Sequence, residues 1–375
     1  MVNARKNPFK PTFGATPPLL AGRDELIETF ADALDNGPGS AGRATLYTGA
    51  RGAGKTVMLN AVEDEARTRG WLVVTETAAP GLVERLTQSR LPALLRAFDP
   101  HTVRRRLTGV SLPASGGGLT WETLEEHVVR ADLREQTTLL TDLLRENETG
   151  LLITLDEIHQ HQIVELRELA TVVQHAFRED QELAFVGAGL TASVSEVLND
   201  DVLTFLRRAD RYQLAAVDLL DVRQALEEPI AAAGRQVGDE ALDLMVEATH
   251  GYPFLIQLVG SCAWQVHRDS EEITLADART GVTNARRRLG SLVHAPALKA
   301  ASTVDKSFLL AMAKDDGPSK MSDIAKRLRV KKEYAGVYRR RLLDADLITA
   351  AGRSYVDFTL PYLRDYLREH AAAGV

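Results

Sequence analysis

The chain of 375 residues holds a single cysteine, Cys262. No intramolecular disulfide can form and no thiolate cluster can hold a metal, a usage that fits a reducing compartment. Cys262 itself reads as a small buried apolar residue. No window approaches the roughly 18 apolar residues a membrane span needs, and the opening MVNARKNPFKP has no apolar stretch of the kind a secretory signal carries. The expectation is a soluble cytoplasmic protein with no membrane partner. There is no Gly or Pro period, no internal repeat and no low-complexity tract, which excludes a fibre or a solenoid. Aromatic residues reach only 6%, but 45% hydrophobic and 26% charged residues are globular proportions, so disorder is excluded for most of the chain. A single core stops growing near roughly 250 to 300 residues, so at least two domains are expected.

A net charge of −7 argues against a surface uniformly suited to coating nucleic acid. The average hides an asymmetry. Residues 300–375 carry 14 Lys and Arg against 10 Asp and Glu, a net of +4, and the 299 residues before them carry −11. The tail is electrostatically a separate object.

The stretch NPFKPTFGATPP cannot form a regular helix, because its prolines remove donors and bias their neighbours to extended geometry. It is expected to lie against the first domain. A βα alternation follows: helix 23–36, strand 44–48, helix 55–69, then strands 71–77, 151–155 and 183–186. Short apolar strands between amphipathic helices predict a buried parallel sheet. The stretch of about 80–150 reads as a mainly helical insertion, interrupted by GVSLPASGGGLTW as a flexible turn or small hairpin. After Tyr212 the pattern is helical near 218–234, 239–250, 253–268 and 275–292, with no strand between. HAPALKAAST reads as a linker. Three short helices, the turn-rich GRSYVDFT and a last helix complete the chain.

Gly49, Ala50, Arg51, Gly52, Ala53, Gly54, Lys55 and Thr56 follow the apolar strand ATLYT and open an amphipathic helix, the context a P-loop requires. Glycines let several backbone N–H groups converge on phosphate oxygens, and the helix adds its positive N-terminal end. Lys55 would reach the β and γ phosphates of ATP and Thr56 would hold Mg²⁺, with Val57 closing the binding segment. The run Leu151-Leu-Ile-Thr-Leu-Asp156-Glu157 ends a buried strand in two carboxylates. Asp156 is the candidate Mg²⁺ ligand and Glu157 the candidate catalytic group that polarises the attacking water. His159 and His161 follow closely; at this spacing they are expected to point apart, and without a third ligand they make no zinc site.

These motifs resemble the ASCE class of P-loop ATPases and, within it, AAA+ ATPases related to the Orc1/Cdc6 initiators. Leu20-Ala-Gly22-Arg23-Asp24-Glu25-Leu26 is similar to the segment such proteins place beside the adenine, which implies nucleotide contacts for Gly22 and Arg23. The resemblance implies an α/β three-layer core with a parallel sheet over 1–215, a helical lid over 216–295 and a C-terminal winged helix over 300–375. It also implies an arginine offered to a neighbouring subunit, for which Arg207, Arg208 and Arg211 are candidates, and hence an ATP-dependent homo-oligomer or protein partner. Two departures stand out. The polar sensor at the end of the fourth strand has only Thr191 as a candidate, and Phe254 stands where the lid arginine is expected. Gly251-Tyr-Pro-Phe254 is also reminiscent of archaeal and STAND-like signalling ATPases, which keeps open a regulatory scaffold whose winged helix docks protein.

In the tail, Met321 to Val330 followed by Lys331 to Leu343 shows helix-turn-helix patterning. Lys326 to Arg341 holds eight basic residues and one acid, Glu333, with Tyr334 and Tyr338 interleaved. Duplex DNA is the partner expected for residues 320–360.

Overall fold

In the computed structural model, which describes residues 5–12, 14–97, 131–200 and 203–370, each apolar run of the first half becomes a strand of one sheet. Helix α1 (Asp24–Asp35) precedes β1 (Ala44–Thr48), α2 (Lys55–Thr68) and β2 (Leu72–Thr77). Helical residues 82–97 form α3, and α4 spans Leu133–Glu146. Next come β3 (Leu151–Asp156), α5 (Ile163–Arg178), β4 (Leu183–Gly189), α6 (Thr191–Leu198) and β5 (Asp210–Gln213). The strands pair in parallel in the order β2-β3-β4-β1-β5.

Period-two alternation sorts side chains to the two faces of this sheet. Leu151, Ile153 and Leu155 of β3 join Leu183 and Phe185 of β4 under α3, α4 and α5. Leu152, Ala184, Val186 and Ala188 face the other way, against Phe30 of α1 and Met58 and Val62 of α2. That is the expected three-layer arrangement. The fifth strand, Asp-Arg-Tyr-Gln at the sheet edge, was not foreseen, since it has no apolar run. The segment GVSLPASGGGLTW lies outside the described residues.

The lid comprises α7 (Leu219–Ala232), α8 (Asp239–Thr249), α9 (Pro253–Val266) and α10 (Leu275–Leu289). Eleven consecutive residues of α9, Phe254 to Trp264, are buried, as befits a helix surrounded by others. Two short strands that the sequence did not disclose, β6 (Gln236–Val237) and β7 (Glu272–Ile273), pair in parallel between these helices.

HAPALKAAST is not a linker. The chain runs from α10 through a π turn, Gly290–His294, into α11 (Ala295–Ala300), where Ala297 and Leu298 are buried. The tail follows with α12 (Thr303–Met312), β8 (Ser319–Lys320), α13 (Met321–Leu328), α14 (Lys332–Asp344), β9 (Ile348–Ala350), β10 (Tyr355–Phe358) and α15 (Leu363–His370). Its strands form an antiparallel sheet, β8-β10-β9, the helix and hairpin order of a winged helix. Lid and tail share one hydrophobic core, from Val217 through Leu289 and Leu298 to Leu367.

The opening segment also departs from expectation: it lies chiefly on the lid. Phe9 is buried against Gly260, where an added Cβ would stand 2.5 Å from its ring. Asn7 bonds Ser261, and the Lys10 amide donates to Gln257. The segment reaches the sheet domain at Gly14, whose carbonyl accepts from Asn60.

Candidate functional site

Because β1, β3 and β4 are neighbours and parallel, the segments leaving their C-terminal ends converge. Thr48 sits beside Gly189 across the β1–β4 pairing, and Asp156 ends β3 beside Thr77. A cleft of about 700 Å³ opens there. Arg51 to Val57 form its floor, Asp156 to His159 and Leu190 one wall, and Tyr252, Pro253, Phe254, Leu292 and Pro296 of the lid body the roof.

The P-loop owes its shape to backbone geometry that glycine supplies. Gly52 has φ +74° and Gly54, the residue capping α2, has φ +93°. Lys55 Nζ donates to the carbonyls of Gly49 and Ala50 at 2.8 Å each. Thr56 Oγ1 donates to Asp156 Oδ2 at 2.6 Å, and Asp156 Oδ1 accepts from the Glu157 amide at 2.8 Å. A hydroxyl and a carboxylate held together are hard oxygen donors of the kind Mg²⁺ takes, so these residues fit the ion the sequence implied. Glu157 is exposed beside them with φ +57°.

Burial pushes the Lys55 ammonium below its ordinary pKa, offset by Asp346, Asp156 and Glu157, while Arg51 adds to the depression. A partly desolvated ammonium at the Gly-rich turn is a strong attractor for a phosphate oxyanion. Arg23, also in the cleft wall, is lowered by burial, with Asp221 opposing; its Nη2 donates to the Ala215 carbonyl at 2.6 Å.

Of the residues singled out from the sequence, Arg23, Arg51 to Val57, Asp156 and Glu157 line the cleft together. Gly49 and Ala50 lie behind the floor, where their carbonyls hold Lys55. Gly22 is outside the wall, with an added Cβ placed 2.7 Å from Asp221 Oδ2. Arg207 and Arg208 sit on a 3-10 turn before β5; Arg207 is held by the carbonyls of Leu198 and Asp200, and Arg208 is exposed. Arg211 is exposed on β5. Thr191 opens α6. His159 and His161 do not point apart: their rings meet edge to face at 5.3 Å, and the buried His159 Nδ1 lacks a hydrogen-bond partner. Among the described residues no group of three or more His, Cys, Asp or Glu could hold a metal, and no helix is long and apolar enough to cross a membrane.

One residue at the site was missed. Tyr252, inside the Gly251-Tyr-Pro-Phe254 motif, donates its hydroxyl to the Arg51 carbonyl at 2.6 Å. A Cβ on Gly52 would stand 2.1 Å from that hydroxyl, so the glycine is needed both for its φ and for the lid's close approach. Burial raises the Tyr252 phenol and keeps it a donor.

Residues 19–186 match the family model described as AAA ATPase domain, and residues 291–367 match one described as a domain of unknown function, DUF8462. No curated protein matches the chain. Among solved structures, a Walker-type ATPase of Pyrococcus abyssi is similar at a TM-score of 0.65 and 18% identity, covering 93% of this chain and 96% of its own. The ORC2 protein of Aeropyrum pernix, solved as ADPNP-ADP complexes, is similar at a TM-score of 0.61 and 14% identity, covering 97% of each chain. At these identities the likeness is one of fold.

Proposed function

Taking as premise a chain that carries an AAA ATPase domain and resembles the Orc1/Cdc6 proteins in fold, we propose that it is an ATP-driven switch of the initiator or loader type. It binds and hydrolyses ATP with Mg²⁺ and engages duplex DNA through residues 320–360. The observation that carries the nucleotide half is the Thr56–Asp156 pair beside Lys55 in a cleft of about 700 Å³. Lys55 neutralises β and γ phosphate oxygens, and Thr56 and Asp156 hold Mg²⁺, which when bound neutralises the charge that develops in phosphoryl transfer. Glu157, fixed next to Asp156 and open to solvent, orients the attacking water. Arg23, in the cleft wall, serves the base end of the nucleotide. Arg208, exposed ahead of β5, is the arginine to offer a second copy.

For the DNA half, the support is charge on α14 and the residues leading into it. Arg341 is tied to Asp305 and Arg327 to Asp315, which removes both from the phosphate-contact set. Lys331, Lys332, Arg340 and Tyr334 are exposed. Calorimetry tests the first half: Lys55→Ala should lose ATP binding by roughly a hundredfold or more without a change in thermal unfolding, and unchanged affinity overturns the site. For the second, duplex affinity of the full chain should fall steeply with salt. Lys332→Glu with Arg340→Glu should flatten the log-log slope by about 0.9 per lost contact. No duplex affinity at low salt ends the DNA reading.

A further inference from the structure

The opening segment is pinned along α9. Asn7 Nδ2 donates to Ser261 Oγ at 3.0 Å, Phe9 is buried against Gly260, and the Lys10 amide donates to Gln257 Oε1 at 3.1 Å. The last of these fixes the direction of a carboxamide. Only the oxygen of a Gln side chain accepts from an N–H, so the Lys10 amide dictates which way the group is turned and leaves Nε2, a pure donor, as its other arm. Gln257 is 8% exposed, yet it lines the cleft. Its Nε2 has no hydrogen-bond partner among the described residues. The cleft is the side from which an acceptor can reach it.

Gln257 follows Pro253 by four residues, so both lie on one face of α9, about 6 Å apart along its axis. Pro253 stands over the P-loop, with its Cβ 3.9 Å from where a Cβ on Gly54 would be. Gln257 is therefore one helical turn removed from the phosphate-binding turn. Leu19, Ala21 and Val217, also in the cleft wall, pack with the lid core to which Ile256 belongs. Apolar walls with one oriented polar group suit a flat heteroaromatic ring.

We propose that Gln257 determines which base the cleft takes: Nε2 donates to N1 of adenine and thereby excludes guanine. The inference rests on the nucleotide site proposed above. N3 and N7 accept in both purines, so a donor facing either of them could not tell the two apart. N1 carries a lone pair in adenine and a proton in guanine. Guanine would set N1–H against Nε2–H, and the carboxamide cannot turn over to relieve this without leaving the Lys10 N–H unpaired. The opening segment thus acts on base choice through the side chain it orients.

Equilibrium binding by the full chain with Mg²⁺ tests this, using ATP, GTP and 1-deaza-ATP, in which C–H replaces N1. Wild type should bind ATP roughly tenfold more tightly than 1-deaza-ATP. Equal affinity for those two overturns the inference while the nucleotide site stands, and a wild type that binds no nucleotide overturns both. Gln257→Glu keeps an oxygen for the Lys10 amide and puts an acceptor in place of Nε2. Its affinity ratio of ATP to 1-deaza-ATP should fall to about one, and its preference for ATP over GTP should shrink by roughly tenfold or more. Gln257→Met, of similar length and uncharged, should lose the first ratio as well. A glutamine that only anchors the opening segment would weaken all these nucleotides alike, so an ATP to 1-deaza-ATP ratio unchanged from wild type in either variant overturns the proposal.

Discussion

The sheet domain and the lid–tail unit bury their apolar residues in opposite ways. The sheet divides them between two faces, Ile153 and Phe185 on one and Leu152 and Val186 on the other, so its strand ends are fixed from both sides. The lid and tail have a single core that runs through α9, α10, α11 and α12 without a break. Polar ties reinforce it: Tyr362 Oη donates to the Ala248 carbonyl, Arg286 pairs with Asp365, and His294 meets the Pro361 carbonyl. Swinging the lid away from the tail would expose that core. The cleft lies on the boundary between them, where Tyr252 holds Arg51 and α14 packs against α6.

The largest effect should come from breaking the shared core. Phe308 of α12 is fully buried, and Phe308→Ala should cost about 3–5 kcal/mol. If lid and tail are one body, hydrogen exchange rises together in α9, α10 and α12 and stays low in β1, β3 and β4; opening of α12 alone breaks the comparison. The sheet side answers differently to substitution. Glu157→Gln should bind ATP as wild type does yet release phosphate roughly a hundredfold more slowly, and wild-type phosphate release removes Glu157 from catalysis.

Acid should act on the lid–tail joint. His294 is 1% exposed, and burial pushes its pKa down to about 4; unfolded, the ring titrates near 6.5. Between these values the unfolded chain binds more protons, so stability rises with pH across the window. It is fully present above about pH 6.5 and lost as pH falls toward about 4, by up to about 3 kcal/mol. Thermal unfolding from pH 7 to pH 5 checks this: His294→Gln should show a flatter pH profile, and an identical profile refutes it. The smallest effect tests the contact between the bodies. Tyr252→Phe removes one hydrogen bond to the P-loop, worth about 1 kcal/mol, and should weaken ATP binding by roughly fivefold without altering the melting of the sheet.

The residues legible in the sequence are those whose structure is set locally. The P-loop and Asp156-Glu157 follow apolar strands directly, and strand, loop and helix are enough to place them. What was misread depends on distant partners. Asp-Arg-Tyr-Gln becomes β5 because β1 offers an open edge. HAPALKAAST, read as a linker, is helical because Pro296 sits in the first turn of α11, where its missing N–H costs little, and Leu298 finds the core. Tyr252 reaches the P-loop only once the lid has folded back over it, and no periodicity encodes that approach.

The opening segment adds a constraint on the order of assembly. Asn7 and Ser261 bond across 254 positions of sequence, and Lys10 and Gln257 across 247. During synthesis at roughly 5–20 residues per second, Phe9 therefore stays without its pocket for on the order of tens of seconds, until α9 has emerged. The sheet domain can mature in that interval, whereas the lid waits for α9 before Phe9 can close onto it. High sequence separation of this kind slows folding and leaves an apolar ring available to other nascent chains, so this protein's yield should be governed by how fast its beginning finds its end.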